Sequence, residues 1–103
     1  ITWDGEGPYA EFDHDGIRFA MFQRAMLPDL LGTTPTYPEG LNGTFELAIN
    51  VGTREAVDTT CAGVVSQGAT AVYAPRDEPW KMRSSMIADP EGNLIEICSD
   101  FWE

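Results

Sequence analysis

Apolar and polar positions alternate most cleanly along Leu94-Ile95-Glu96-Ile97-Cys98. Ile95 and Ile97 share one face of a strand there, and Leu94, Glu96 and Cys98 share the other. Asp89-Pro90-Glu91-Gly92-Asn93 precedes it and reads as a tight turn. Asp89 can accept from the backbone ahead of it, Pro90 presets its own φ, and Gly92 tolerates a positive one. Met82 to Ala88 is the strand entering that turn, so the pair forms a hairpin. Further upstream, Val57, Cys61, Val64 and Val65 recur at helical spacing behind Thr53, predicting a helix capped by Thr53 and running through Gln67. Gly68 ends it. Phe45 to Val51 and Ala69 to Ala74 read as strands, and Pro75 to Trp80 as a charged loop. The second half is therefore strand, helix, strand, strand, strand.

The first half is thinner. Tyr9 to Phe12 alternates, Asp13-His14-Asp15-Gly16 makes a turn, and Ile17 to Gln23 returns as a strand. Arg24 to Leu31 holds one or two helical turns, interrupted by Pro28 and ended by Gly32. Pro35, Pro38, Gly40 and Gly43 then mark a surface linker. Asp13 to Met21 can be laid on Asp89 to Ile97 without a gap, which makes the chain an internal repeat of unequal copies. The expected organisation is a single domain over 1–103, in which 1–31 is the remnant of a first module, 32–43 a linker and 44–103 a complete second module. The remnant lacks its initial strand and helix, so Phe19 and Met21, which match Ile95 and Ile97, call for a covering segment or partner chain.

Composition narrows the function. The 103 residues carry 17 acidic and 6 basic side chains, a formal net charge of -11. That balance argues against nucleic acid and anionic membrane surfaces as partners. No apolar run is long enough to span a bilayer, and no signal peptide is visible in this stretch. Cys61 and Cys98 fall in unrelated elements and fit free thiols in a reducing, cytoplasmic setting. One histidine, His14, offers no nucleophile-and-base arrangement, and no glycine-rich phosphate cradle is present.

Phe45-Glu46-Leu47-Ala48-Ile49-Asn50-Val51, the helix exit at Val64 to Ala69, Pro79-Trp80 and above all Asp89 to Ile97 resemble the vicinal oxygen chelate superfamily, the glyoxalase, bleomycin-resistance and extradiol-dioxygenase group. The resemblance implies an α+β fold of paired βαβββ modules whose curved mixed sheets form a small-molecule cleft. It also implies two metal-ligand positions per module, one on the first strand and one on the last. Glu46 and Glu96 stand at those positions in the second module, as metal ligands or, for Glu46, a proton shuttle. In the first module Ala20 occupies the last-strand position and has no donor atom. The implied cofactor is a divalent ion (Zn, Ni, Mn or Fe), and the implied chemistry that of a metal-dependent lyase, isomerase or dioxygenase. The alternative is a non-catalytic protein that sequesters its ligand, which Ala20 favours.

Arg18, Phe22, Trp80, Met82, Arg83 and Leu94 are the candidate ligand-binding residues. Arg18 and Phe22 share the face of Ala20, as Leu94 shares that of Glu96. The facing of Arg83 depends on a register that alternation does not fix. Each also has a plainer reading: Arg18 in a surface ion pair, the aromatic residues and Met82 in core packing, Glu96 in solvent. The expected partners are a small molecule and a second copy of the chain.

Overall fold

The computed structural model describes residues 6–12, 16 and 19–102. They fall into two compact units, Ile1–Tyr37 and Pro38–Glu103.

In the first unit, β1 (Tyr9–Phe12) and β2 (Phe19–Phe22) pair antiparallel, from Tyr9 opposite Phe22 to Phe12 opposite Phe19. The Gln23 amide extends the ladder by donating to the Pro8 carbonyl at 2.8 Å. The Phe12 and Phe19 rings close it with centroids 5.1 Å apart. A 3₁₀ turn at Arg24–Met26 leads into a short helix, α1 (Leu27–Leu31). Pro28 does not interrupt this helix; it sits in the first turn, where its missing N–H would have had no partner. Gly32, at φ 76°, ends the helix by donating to the Pro28 carbonyl.

The register qualifies the repeat. Phe12 pairs with Phe19, whereas the gapless alignment sets Phe12 on Ala88 and Phe19 on Ile95, whose actual partner is Ile87. The outgoing strands match, but the incoming strand of the first hairpin is slipped by one residue.

The second unit is βαβββ: β3 (Asn42–Gly52), α2 (Arg54–Ser66), β4 (Thr70–Asp77), β5 (Arg83–Ala88) and β6 (Asn93–Ser99). The sheet order is β3-β6-β5-β4, with β3 parallel to β6 and the other pairs antiparallel. The mixed α+β class is that expected. Two boundaries differ. β3 starts at Asn42, inside the expected linker, and β4 runs on through Pro75 to Asp77 where a loop was expected. An edge strand tolerates proline because it has no second neighbour awaiting its N–H.

Helix α2 begins as its sequence dictates, with the Thr53 hydroxyl accepting from the Ala56 amide at 3.1 Å. It ends in a Schellman arrangement: Ala69 donates to the Val64 carbonyl, Gly68 to that of Val65, and Gly68 stands at φ 113°. Its apolar stripe packs Val57 and Cys61 against Ile87 and Ile97, with Val51, Val64, Ala69 and Ile95 around them. Ile95 and Ile97 therefore face the helix, and Leu94, Glu96 and Cys98 face away. Both cysteines are free.

The Asp89–Asn93 turn is held by one carboxylate. Asp89 Oδ1 accepts from the amides of Glu91 and Asn93, each at 2.9 Å, and Oδ2 accepts from the Asn93 side chain at 2.8 Å. The start of β3 docks on this turn, with Asn42 N–H donating to the Gly92 carbonyl at 2.9 Å and its side chain donating to Asn93 Oδ1.

Candidate functional site

The register places three rows of side chains on the sheet face opposite α2. Glu46, Leu94, Ala88 and Thr70 form one; Ala48, Glu96, Met86 and Tyr73 the next; Asn50, Cys98, Ser84 and Arg76 the third. Glu46 and Glu96 thus lie on neighbouring strands of one face, with Leu94 beside both. Glu96 is half-buried and makes no hydrogen bond or ion pair with the described residues. Burial first, then the negative charges of Glu46 and Glu78, push its carboxyl above the usual range. Cys98 is buried, and desolvation, then Glu96 and Asp100, push its thiol up as well. Its Sγ–H points at the Ile49 carbonyl, 3.6 Å away.

At the far edge of this face a polar network encloses Glu78. Arg76 Nε donates to Glu78 Oε1 at 2.7 Å, and Ser84 Oγ donates to the same oxygen at 2.8 Å. Arg76, then Ser84, hold that carboxyl below the usual range. The Tyr73 hydroxyl lies 3.2 Å from Ser84 Oγ, and the Arg76 guanidinium stacks 3.9 Å from the centre of the Tyr73 ring. None of these four residues stood out in the sequence.

The other candidates are dispersed. Arg83 turns to the helix side, where Nε and Nη2 donate to Asp58 on α2 and Nη1 to Asp77. Arg54 also binds Asp77, and its guanidinium covers the Trp102 ring at 4.5 Å. This cluster ties α2 to the β4–β5 end of the sheet, and it removes Arg83 from the Glu96 face. Trp80 is exposed in the β4–β5 turn, which the Glu78 amide closes by donating to the Met82 carbonyl at 2.7 Å. Phe22 belongs to the first unit, on β2 opposite Tyr9, and is also exposed. Ala20, two residues before it, pairs with Glu11. Arg18 and His14 lie outside the described residues.

As a metal centre the described residues fall short. Glu46 and Glu96 are two carboxylates, and among the described residues no group of three or more His, Cys, Asp or Glu gathers to hold an ion. Zinc takes three or four protein ligands, and calcium six to eight oxygen ligands. The donor set present does not fit such an ion by itself.

The βαβββ order, the parallel β3–β6 pair and a carboxylate at mid-β6 can be set beside known proteins. The model of the glyoxalase/bleomycin resistance protein/dioxygenase superfamily matches residues 2–97. The chain belongs to that superfamily. A relative, the uncharacterized protein YraH of Bacillus subtilis (strain 168), is 30% identical over 100 residues, covering 94% of this chain and 76% of its own. Among solved structures, a glyoxalase-related enzyme from Fulvimarina pelagi superposes with a TM-score of 0.77 at 22% identity, over 89% of this chain and 64% of that one. A family enzyme from Burkholderia phytofirmans PsJN gives 0.77 at 22% identity, over 91% and 72%. A glyoxalase/bleomycin resistance protein/dioxygenase from Nocardioides gives 0.68 at 21%, over 91% and 62%. The chain thus spans less than two thirds of the Fulvimarina and Nocardioides proteins, and these likenesses carry the fold. Superfamily members often use divalent metals, bind small molecules and form dimers. No helix among the described residues is long and apolar enough to cross a membrane.

Proposed function

We propose that the Glu96 face of the second unit is one wall of a small-molecule cleft, and that the protein holds its ligand there without transforming it. The observation that carries this reading is Glu96 itself. A half-buried carboxylate in mid-strand, without a cation or donor from the described residues, is stabilised by a ligand that brings one. Leu94 supplies apolar contact beside it, and Glu46 extends the acidic strip. Trp80 and Met82, in the same unit, remain candidates for the remainder of the wall. Two free thiols fit a cytoplasmic setting, and the exposed Phe19 and Met21 support pairing of two copies.

A metal-dependent lyase, isomerase or dioxygenase is the second reading, favoured by the juxtaposition of Glu46 and Glu96 on adjacent strands. It requires further donors beyond this pair. Metal analysis of the purified protein, with Glu96→Gln alongside, separates the two. Less than a tenth of an equivalent of metal in both proteins supports sequestration. A stoichiometric ion that is lost in Glu96→Gln supports the enzyme and overturns the first reading.

A further inference from the structure

Two irregularities in the β4–β5 ladder decide what the Glu96 face offers. The pairing steps from Ala71 opposite Ile87 to Tyr73 opposite Met86, and then to Arg76 opposite Ser84. Strict alternation would place Tyr73 with Ala71 on the α2 side. The first extra residue turns it to the Glu96 side, and the second keeps Arg76 on that side too. Bulges of this kind re-aim side chains and are enriched beside functional sites.

The hydroxyl protons along the network then have one arrangement. Glu78 is ionised and can only accept, so Ser84 donates its single proton to it. With that proton committed, Ser84 can only accept from Tyr73, so Tyr73 donates to Ser84. Ser84 is fully buried and the Glu78 side chain is 7% exposed, which keeps solvent from resetting the chain. The Tyr73 oxygen has lone pairs left and no proton, and no described donor is aimed at them. On this sheet face it stands in the same row as Glu96, across Met86.

We propose that Tyr73 is a specificity-determining contact of the Glu96 face, presenting its phenol oxygen as an acceptor, with Ser84 and Glu78 as positioning residues that fix the direction of its proton. The occupant must then bring N–H donors to both Tyr73 and Glu96, as a small amidinium or ammonium compound does and a carboxylate does not. This rests on the reading of the Glu96 face as the binding wall.

The test is a titration of the isotope-labelled protein, followed by backbone amide NMR, with benzamidinium as probe and benzoate as its anionic counterpart. Benzamidinium is expected to shift amides of β5 and β6 around Met86 and Glu96, and benzoate to leave them unmoved. Tyr73→Phe should weaken benzamidinium roughly three- to tenfold, the range of one hydrogen bond. Ser84→Ala frees the Tyr73 proton to turn toward the ligand; benzamidinium should weaken by a similar factor, and benzoate should gain. A merely structural Tyr73 would move neither ratio. Should Ser84→Ala not fold, Tyr73→Phe decides alone. Loss of binding in Glu96→Gln with unchanged affinity in Tyr73→Phe overturns the role of Tyr73 and leaves the wall standing. Unchanged affinity in Glu96→Gln, or shifts mapping elsewhere, removes the wall itself. No response of the wild type to benzamidinium at 10 mM on the order of the weakest fragment affinities overturns the ligand class.

Discussion

A methyl group on Gly92 would stand 1.8 Å from the carbonyl oxygen of Gly40. Gly92 also sits at φ 86°, so two independent constraints require glycine there. Backbone rather than a flexible side chain opposes the substitution, and the Asn42–Gly92 hydrogen bond lies beside it. Gly92→Ala should cost about 2–4 kcal/mol, combining left-handed strain with displacement of the β3 entry. Urea unfolding checks this; a loss under about 1 kcal/mol, the left-handed strain alone, would show that the β3 entry moves aside freely.

Ile97 is 2% exposed and packs against Val57 and Cys61. Ile97→Ala should destabilise the protein by about 2–5 kcal/mol, as removal of a buried aliphatic side chain does. Its side chain is on the opposite face from Glu96. Ligand affinity measured well below the unfolding transition should therefore stay within about twofold of wild type, since successive side chains of a strand stand on opposite faces of the sheet.

Thr53 caps α2 with a single hydrogen bond to the Ala56 amide. Thr53→Ala should lose about 1 kcal/mol, and Thr53→Ser should retain most of it. Equal stability of the two variants in thermal unfolding would count against a capping role for this hydroxyl.

Asp77 gives the pH dependence. Its carboxyl is held below the usual range by hydrogen bonding first to Arg83 and then to Arg54. A carboxyl depressed on folding stabilises the protein above its unfolded pKa, and that stabilisation fades as pH falls through the depressed folded value. Asp77→Asn should therefore show a shallower loss of stability on the acid side, below the ordinary carboxylate range, and little change of slope at neutral pH. Unfolding midpoints measured as a function of pH should diverge at neutrality and converge in acid; parallel curves would show that the pairing leaves stability unchanged.

Local chemistry was enough to read several elements from the chain alone. Thr53 and Gly68 bracket α2 because capping and left-handed termination need only the residues at the helix ends. Asp89 and Gly92 shape their turn through hydrogen bonds that span at most four residues. Period-two alternation separated Ile95 and Ile97 from Glu96, and it holds because β6 runs without a bulge against β5. The superfamily likeness follows from the Asp89 to Ile97 stretch together with Phe45 to Val51, whereas the sharing of one face by Glu46 and Glu96 rests on the β3–β6 register.

Tertiary structure decided what depends on register between distant strands. Arg83 went to the helix side because Asp58 on α2 and Asp77 on β4 meet it there, a choice between faces that its own neighbours leave open. Tyr73 came to the Glu96 side because β4 carries an extra residue against β5, and periodicity read from one strand cannot show a bulge defined by two. Glu78 became nearly buried only through Arg76 and Ser84, the latter from the next strand. The second reason for glycine at position 92 likewise arises only when Gly40, 52 residues away in sequence, is brought against it.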